Sequence, residues 1–180
     1  MEEIEVKFLN IDKAAIIQKL ESLGAKKVLD CEVDTELFEF SDRRLSAEGK
    51  TLRLRTLGDD CALTLKKGLK REGAKVMEAH ETSVSNHAEM REILTMLGLK
   101  ATKRWPKHRI SYSFEGAHFE LDTLEGIPTY LEIEGKSVPE LKRLAGLLGL
   151  SMADSKPWSS RDVIKHYSRK RFSRNIAKIK

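Results

Sequence analysis

The chain opens with EEIEVKF, Glu2 to Phe8. In an extended strand successive side chains point to opposite faces. Glu3, Glu5 and Lys7 therefore share one face, and Ile4, Val6 and Phe8 share the other. A strand edge carrying two carboxylates and an ammonium faces either water or a guest that needs such charges.

The same alternation returns along the chain. In LRLR, Arg53 and Arg55 stand opposite Leu52 and Leu54; in ALTLKK, Thr64 and Lys66 stand opposite Leu63 and Leu65. KHRISYSF sets Lys107 and Arg109 against Ile110, Tyr112 and Phe114. HFELD sets Glu120 and Asp122 against Phe119 and Leu121, and LEIE sets Glu132 and Glu134 against Leu131 and Ile133. Glu81 is the in-phase acid of HETSV. CEVDTELFEF, Cys31 to Phe40, is a less regular strand with room for a bulge.

Helices separate these strands. Asp12 to Leu23 carries an apolar stripe and ends at Gly24. Asn86 with Glu89, and Ser137 with Glu140, resemble capping boxes ahead of leucine-rich stripes that stop at Gly98 and Gly149. A basic amphipathic helix runs from Ser159 or Ser160 to about Phe172. A short acidic strand precedes each of the first helices, and each unit ends in Leu-Gly, a weak internal repeat.

At 180 residues the chain suits one domain. No stretch approaches the roughly 20 apolar residues of a membrane span. The acidic N-terminus has no secretory pattern, and Cys31 and Cys61 read as reduced thiols, so a cytoplasmic protein is expected. The net charge of +5 is unevenly placed. Residues 161–180 contribute +7 and the remainder −2, so the body is not a basic nucleic-acid surface. The histidines show no ligand spacing, and Trp105 and Trp158 read as packing anchors.

Two architectures fit the charged faces. One is an antiparallel sheet with its polar side in water. The other is a closed barrel turned inside out, with helices on its apolar exterior and ions in its lumen. The clustering of like charges within strands bears on the choice. Arginines set beside lysines destabilise a bare sheet and become tolerable around a polyanion. Carboxylates in the same space would repel that polyanion unless they hold hard divalent cations, which take oxygen ligands.

Glu3-x-Glu5-x-Lys7 resembles the ExExK signature of the CYTH domain, the triphosphate tunnel metalloenzymes. TLRLR, LTLKK, HETSV, KHR, FELD and YLEIE follow in matching order over roughly residues 1–150. Glu36, His80 and Pro128 depart from the family pattern. The resemblance implies an α+β fold: an eight-stranded antiparallel closed β-barrel, or tunnel, with a charged lumen and flanking helices. Residues 1–172 would form that single domain, and residues 173–180 a basic C-terminal tail.

The resemblance also implies a division of labour. Glu3, Glu5, Glu132 and Glu134 would ligate Mg²⁺ or Mn²⁺, with Asp122 completing the metal shell. Lys7, Arg53, Arg55, Lys66, Lys107 and Arg109 would grip a triphosphate-containing small molecule. Lys66 and Glu81 would act in catalysis. Hydrolysis of inorganic tripolyphosphate or a small organic triphosphate is the expected reaction, because it demands only the tunnel. Cyclisation of ATP to cyclic AMP, the class IV adenylyl cyclase reaction, needs a purine pocket as well. A non-catalytic polyphosphate- or RNA-binding module is the remaining alternative, kept open by the basic tail. No membrane partner is expected, and a homodimer is left open.

Overall fold

The computed structural model describes residues 2–69 and 74–177, with side chains described as far as residue 168. Its strands are β1 (Glu2–Phe8), β2 (Lys26–Phe40), β3 (Lys50–Leu57), β4 (Asp60–Leu69), β5 (Lys75–Ser83), β6 (Leu99–Phe114), β7 (Ala117–Leu124) and β8 (Ile127–Gly135). The helices are α1 (Lys13–Ser22), α2 (Arg44–Ala47), α3 (His87–Met96), α4 (Val138–Leu147) and α5 (Ser160–Ala177). The eight strands close into a barrel in the order β1-β5-β4-β3-β2-β6-β7-β8. Every neighbouring pair is antiparallel.

The barrel is inverted relative to a solvent-faced sheet. Its apolar residues point outward to the helices. Ile4, Val6 and Phe8 of β1 join Phe119, Leu121, Leu131 and Ile133 in the main core. Ile16 and Leu20 of α1 and Leu141 and Leu144 of α4 cover that face. Full burial of each such leucine is worth about 1.5–3 kcal/mol. A second cluster seats Leu94 of α3 on Phe38, Leu54 and Leu99, and a third seats Val163 of α5 on Leu124 and Tyr130.

The helix ends follow local chemistry. Asp12, Asn86 and Ser137 each accept a hydrogen bond from the amide three residues on, satisfying a donor with no partner inside the helix. Gly24, Gly98 and Gly149 then take positive φ, a conformation that costs a residue with a Cβ. α5 continues past Phe172, where the sequence placed its end, to Ala177.

Two strands are longer than the alternation indicated. β2 begins at Lys26 rather than Cys31, and β6 at Leu99 rather than Lys107. They pair with each other from Lys26↔Ser113 to Phe40↔Leu99, with register shifts at Lys27/Leu29 and Leu37/Phe38. Their other neighbours cover only part of that length: β3 pairs with β2 from Val33 to Phe38, and β7 with β6 from His108 onward. Most of residues 100–106 is therefore exposed, and the two-residue burial rhythm that marks a strand is missing there.

Candidate functional site

The lumen encloses a cavity of about 720 Å³ with chemically opposed walls. β1, β7 and β8 supply Glu3, Glu5, Glu120, Glu132 and Glu134. β3, β4 and β6 supply Arg53, Arg55, Lys66, Lys107 and Arg109. The closed strand order makes the acidic strands β7, β8 and β1 contiguous, because β1 pairs with β8.

Glu3, Glu5 and Glu134 converge, each offering a carboxylate oxygen within 4.8 Å of the others. Register explains this: Glu5 lies directly across from Glu134, and Glu3 is one same-face step along β1. Burial, with repulsion from Glu3, Glu120 and Glu132, pushes the Glu134 carboxyl up to about 7. Three carboxylate oxygens brought this close fit a hard divalent cation, which accepts oxygen donors and would relieve the repulsion on Glu134.

The other two expected ligands, Glu132 and Asp122, are not members of this trio. Glu132 lines the cavity, but Lys7 Nζ donates to it at 2.7 Å and to Glu5 at 2.9 Å. Burial would raise the Glu132 carboxyl; the Lys7, Arg109 and Lys107 cations outweigh it and hold it well below the usual range. Asp122 is fully buried behind the wall. Lys107 Nζ donates to it at 2.5 Å, and Arg109 donates through Nε and Nη2 at 2.7 Å each. It is thus ion-paired to two cations of the neighbouring strand β6.

The cationic wall has the complementary imbalance. The Nε atoms of Arg53 and Arg55 are buried without a hydrogen-bond partner among the described residues. Burial and the nearby Arg55 depress Arg53 to about 10. Burial and the neighbouring Arg109 depress Lys107 to about 8. Arg109 takes the larger share of Asp122 through its bidentate fork, which leaves Lys107 less compensated. Guanidinium groups that are incompletely paired and repel each other fit a polyanionic guest.

Lys66 reaches across to form an ion pair with Glu3, so one cation of this wall touches the metal-type trio. Glu81 sits at the half-open end of the wall, accepting from the Thr64 hydroxyl at 2.6 Å and from Arg55 Nη2 at 3.3 Å. Burial would raise its carboxyl; Thr64, Arg55 and Arg53 together hold it below the usual range.

Several lining residues were not legible in the sequence. Lys75 of β5 faces the lumen opposite Glu5 and donates to its carboxylate at 2.7 Å. It shares the two-residue phase of Glu81, the signal that would have found it had the strand been started earlier. Arg161, Asp162 and Lys165 of α5 also line the cavity. Backbone hydrogen bonds of 2.9 and 2.8 Å between Lys7 and Lys156 tie the segment before α5 to β1 and so bring the helix there. Trp158 packs against the third apolar cluster as expected, whereas Trp105 lines the cavity. The basic side chains Arg169, Lys170, Arg171, Arg174, Lys178 and Lys180 lie outside the described residues.

Fold and lumen together define a β-barrel tunnel protein whose interior is ionised rather than apolar. The chain belongs to the CYTH domain family, whose model matches residues 1–153. A Methanocaldococcus jannaschii protein named, provisionally, an adenylate cyclase is 28% identical over 141 residues, 78% of this chain and 80% of that one. A Pyrococcus horikoshii protein of solved structure superposes with a TM-score of 0.74 at 28% identity, covering 89% of this chain and 98% of its own. A Hippeastrum protein, first assigned as an adenylyl cyclase and described as having a dominant triphosphatase activity, shares the fold with a TM-score of 0.65. It is 18% identical and covers 92% of this chain and 95% of its own. Among the described residues no helix is long and apolar enough to cross a membrane.

Proposed function

We propose that the protein is a divalent-metal-dependent triphosphatase acting inside the barrel. One observation carries this reading: a carboxylate trio, Glu3, Glu5 and Glu134, faces the same cavity as the incompletely paired guanidiniums Arg53 and Arg55. Glu134 is repelled by the carboxylates around it, and Arg53 and Arg55 each keep a buried Nε without a partner among the described residues. A metal-bound triphosphate supplies the cation to one wall and the anion to the other.

Glu3, Glu5 and Glu134 would hold Mg²⁺ or Mn²⁺, with Glu132 beside them. The bound metal would shield phosphate charge and lower the pKa of a water. Arg53, Arg55, Lys107 and Arg109 grip the phosphate oxygens, and Asp122 keeps Lys107 and Arg109 aimed. Lys7 props Glu5 and Glu132 apart from one another's charge. Glu81, fixed by Thr64 and Arg55, orients the attacking water, and Lys66 neutralises charge growing on the phosphate chain. Water adds to the terminal phosphorus, the phosphoanhydride bond to it breaks, the remaining diphosphate portion departs as the leaving group, and orthophosphate and the water's proton are released to solvent. Such chemistry is mostly positioning and charge stabilisation. Two unpaired cysteines suit a cytoplasmic setting.

The test is orthophosphate release from tripolyphosphate, thiamine triphosphate and ATP, with Mg²⁺, Mn²⁺ or EDTA, for wild type and Glu5→Gln. Turnover is expected only with metal, and most of it is lost in the variant. Equal rates in EDTA would sink the proposal. The adenylate cyclase name of the 28%-identical relative favours ATP cyclisation as a second reading. Cyclic AMP as the main product from ATP would install it. Tight triphosphate binding without turnover would make the domain a binding module.

A further inference from the structure

We infer that Trp105, with Thr35 and Leu37, forms an aromatic shelf beside the phosphate grip that seats a planar heteroaromatic group carried by the triphosphate. The inference rests on the triphosphate reading and narrows it from triphosphates in general to organic ones.

Trp105 is half-buried and lines the cavity, yet it belongs to none of the apolar clusters found among the described residues. A large aromatic surface left facing an ionic lumen is unfavourable unless something apolar covers it. Its position follows from the register. Trp105 pairs with Thr35, and Thr35 pairs on its other side with Arg55. Lys107 is the next residue of β6 on the same face, about 7 Å away along the strand. A group attached to a phosphate held by Arg55 and Lys107 is therefore within reach of the indole.

The adjoining strand offers a matching floor. Thr35 and Leu37 are the cavity-lining residues of β2, and neither is charged. They form an uncharged patch of wall next to Trp105 and next to the arginines of β3. A cavity of about 720 Å³ falls within the range of pockets that enclose whole organic ligands, about 300–1,000 Å³. An inorganic phosphate chain makes no use of an indole, whereas an aromatic ring stacks on one.

The test compares total consumption of ATP, as the aromatic probe, with that of tripolyphosphate for wild type, Trp105→Leu and Trp105→Phe. Trp105→Leu is expected to lower kcat/KM for ATP about tenfold relative to tripolyphosphate. Trp105→Phe should retain most of the preference. An equal fall on both substrates, or no change on either, overturns the shelf while leaving the triphosphatase reading intact. If neither substrate is consumed, the triphosphatase reading fails, and quenching of intrinsic fluorescence still decides the shelf. Quenching by ATP that is absent with tripolyphosphate, and absent in Trp105→Leu, supports it. Equal quenching by both probes, or none by either, overturns it.

Discussion

Arg109 donates two parallel hydrogen bonds to Asp122, Nε to Oδ1 and Nη2 to Oδ2, each at 2.7 Å. Asp122 has no solvent exposure, and Lys107 adds a third donor to it at 2.5 Å. An aspartate so saturated has little left to offer a metal. Asp122→Asn is expected to destabilise the fold by about 3–5 kcal/mol in denaturant titrations, the cost of stripping the partner from buried charge. Calorimetric Mn²⁺ affinity of the folded variant should change little. Affinity that collapses while stability holds would return Asp122 to the metal shell.

If the proposed metal site holds, Glu134 would couple metal binding to stability. Its carboxyl is held at about 7 against an ordinary 4.5, because burial and the carboxylates around it disfavour its charge. A raised acid binds its proton more tightly in the folded state. It therefore destabilises the metal-free fold above pH 7, by on the order of 3 kcal/mol, and this penalty fades as pH falls from 7 toward 4.5. Glu134→Gln should raise the metal-free Tm at pH 8 by several degrees. The same variant should lose most of the Tm increase that Mn²⁺ confers on wild type. A lower Tm without metal would contradict the electrostatic account.

Lys107 is expected to set an alkaline limit on the proposed activity. Its ammonium is weakened to about 8 by burial and by Arg109. A phosphate guest favours the charged form, so binding is strongest below that value and declines as pH rises through it. With Mg²⁺ saturating, kcat/KM for tripolyphosphate should fall above pH 8, a limb that reports the free protein. Lys107→Arg, charged throughout, should flatten it. A wild-type profile level to pH 10 would show that Lys107 does not govern binding.

The barrel depends on the helices that cover it. Leu144 of α4 is fully buried in the main apolar cluster. Leu144→Ala should cost about 2–5 kcal/mol by denaturant unfolding. A cost under about 1 kcal/mol would mean that α4 is loosely docked.

Much of this molecule is written in short-range pattern. The alternation of Glu3, Glu5 and Lys7 with Ile4, Val6 and Phe8, and the caps at Asp12, Asn86 and Ser137, are local facts of sterics and hydrogen bonding. They survive in the structure unchanged. Alternation failed where a strand is not half-buried. Most of residues 100–106 of β6 is exposed on both faces, and with that segment went the true position of Trp105.

By itself, then, the sequence determined which side chains share a strand face and where helices begin and stop, because both depend on neighbours a few residues away. It could not determine which strand lies beside which, since the pairing of β1 with β5 and β8 joins residues far apart in the chain. Only barrel closure brought Glu134 to Glu3 and Glu5, gave Lys75 to Glu5, and set Asp122 behind Lys107 and Arg109. A charged residue's role follows from the charges opposite it, and register across the closed sheet decides those.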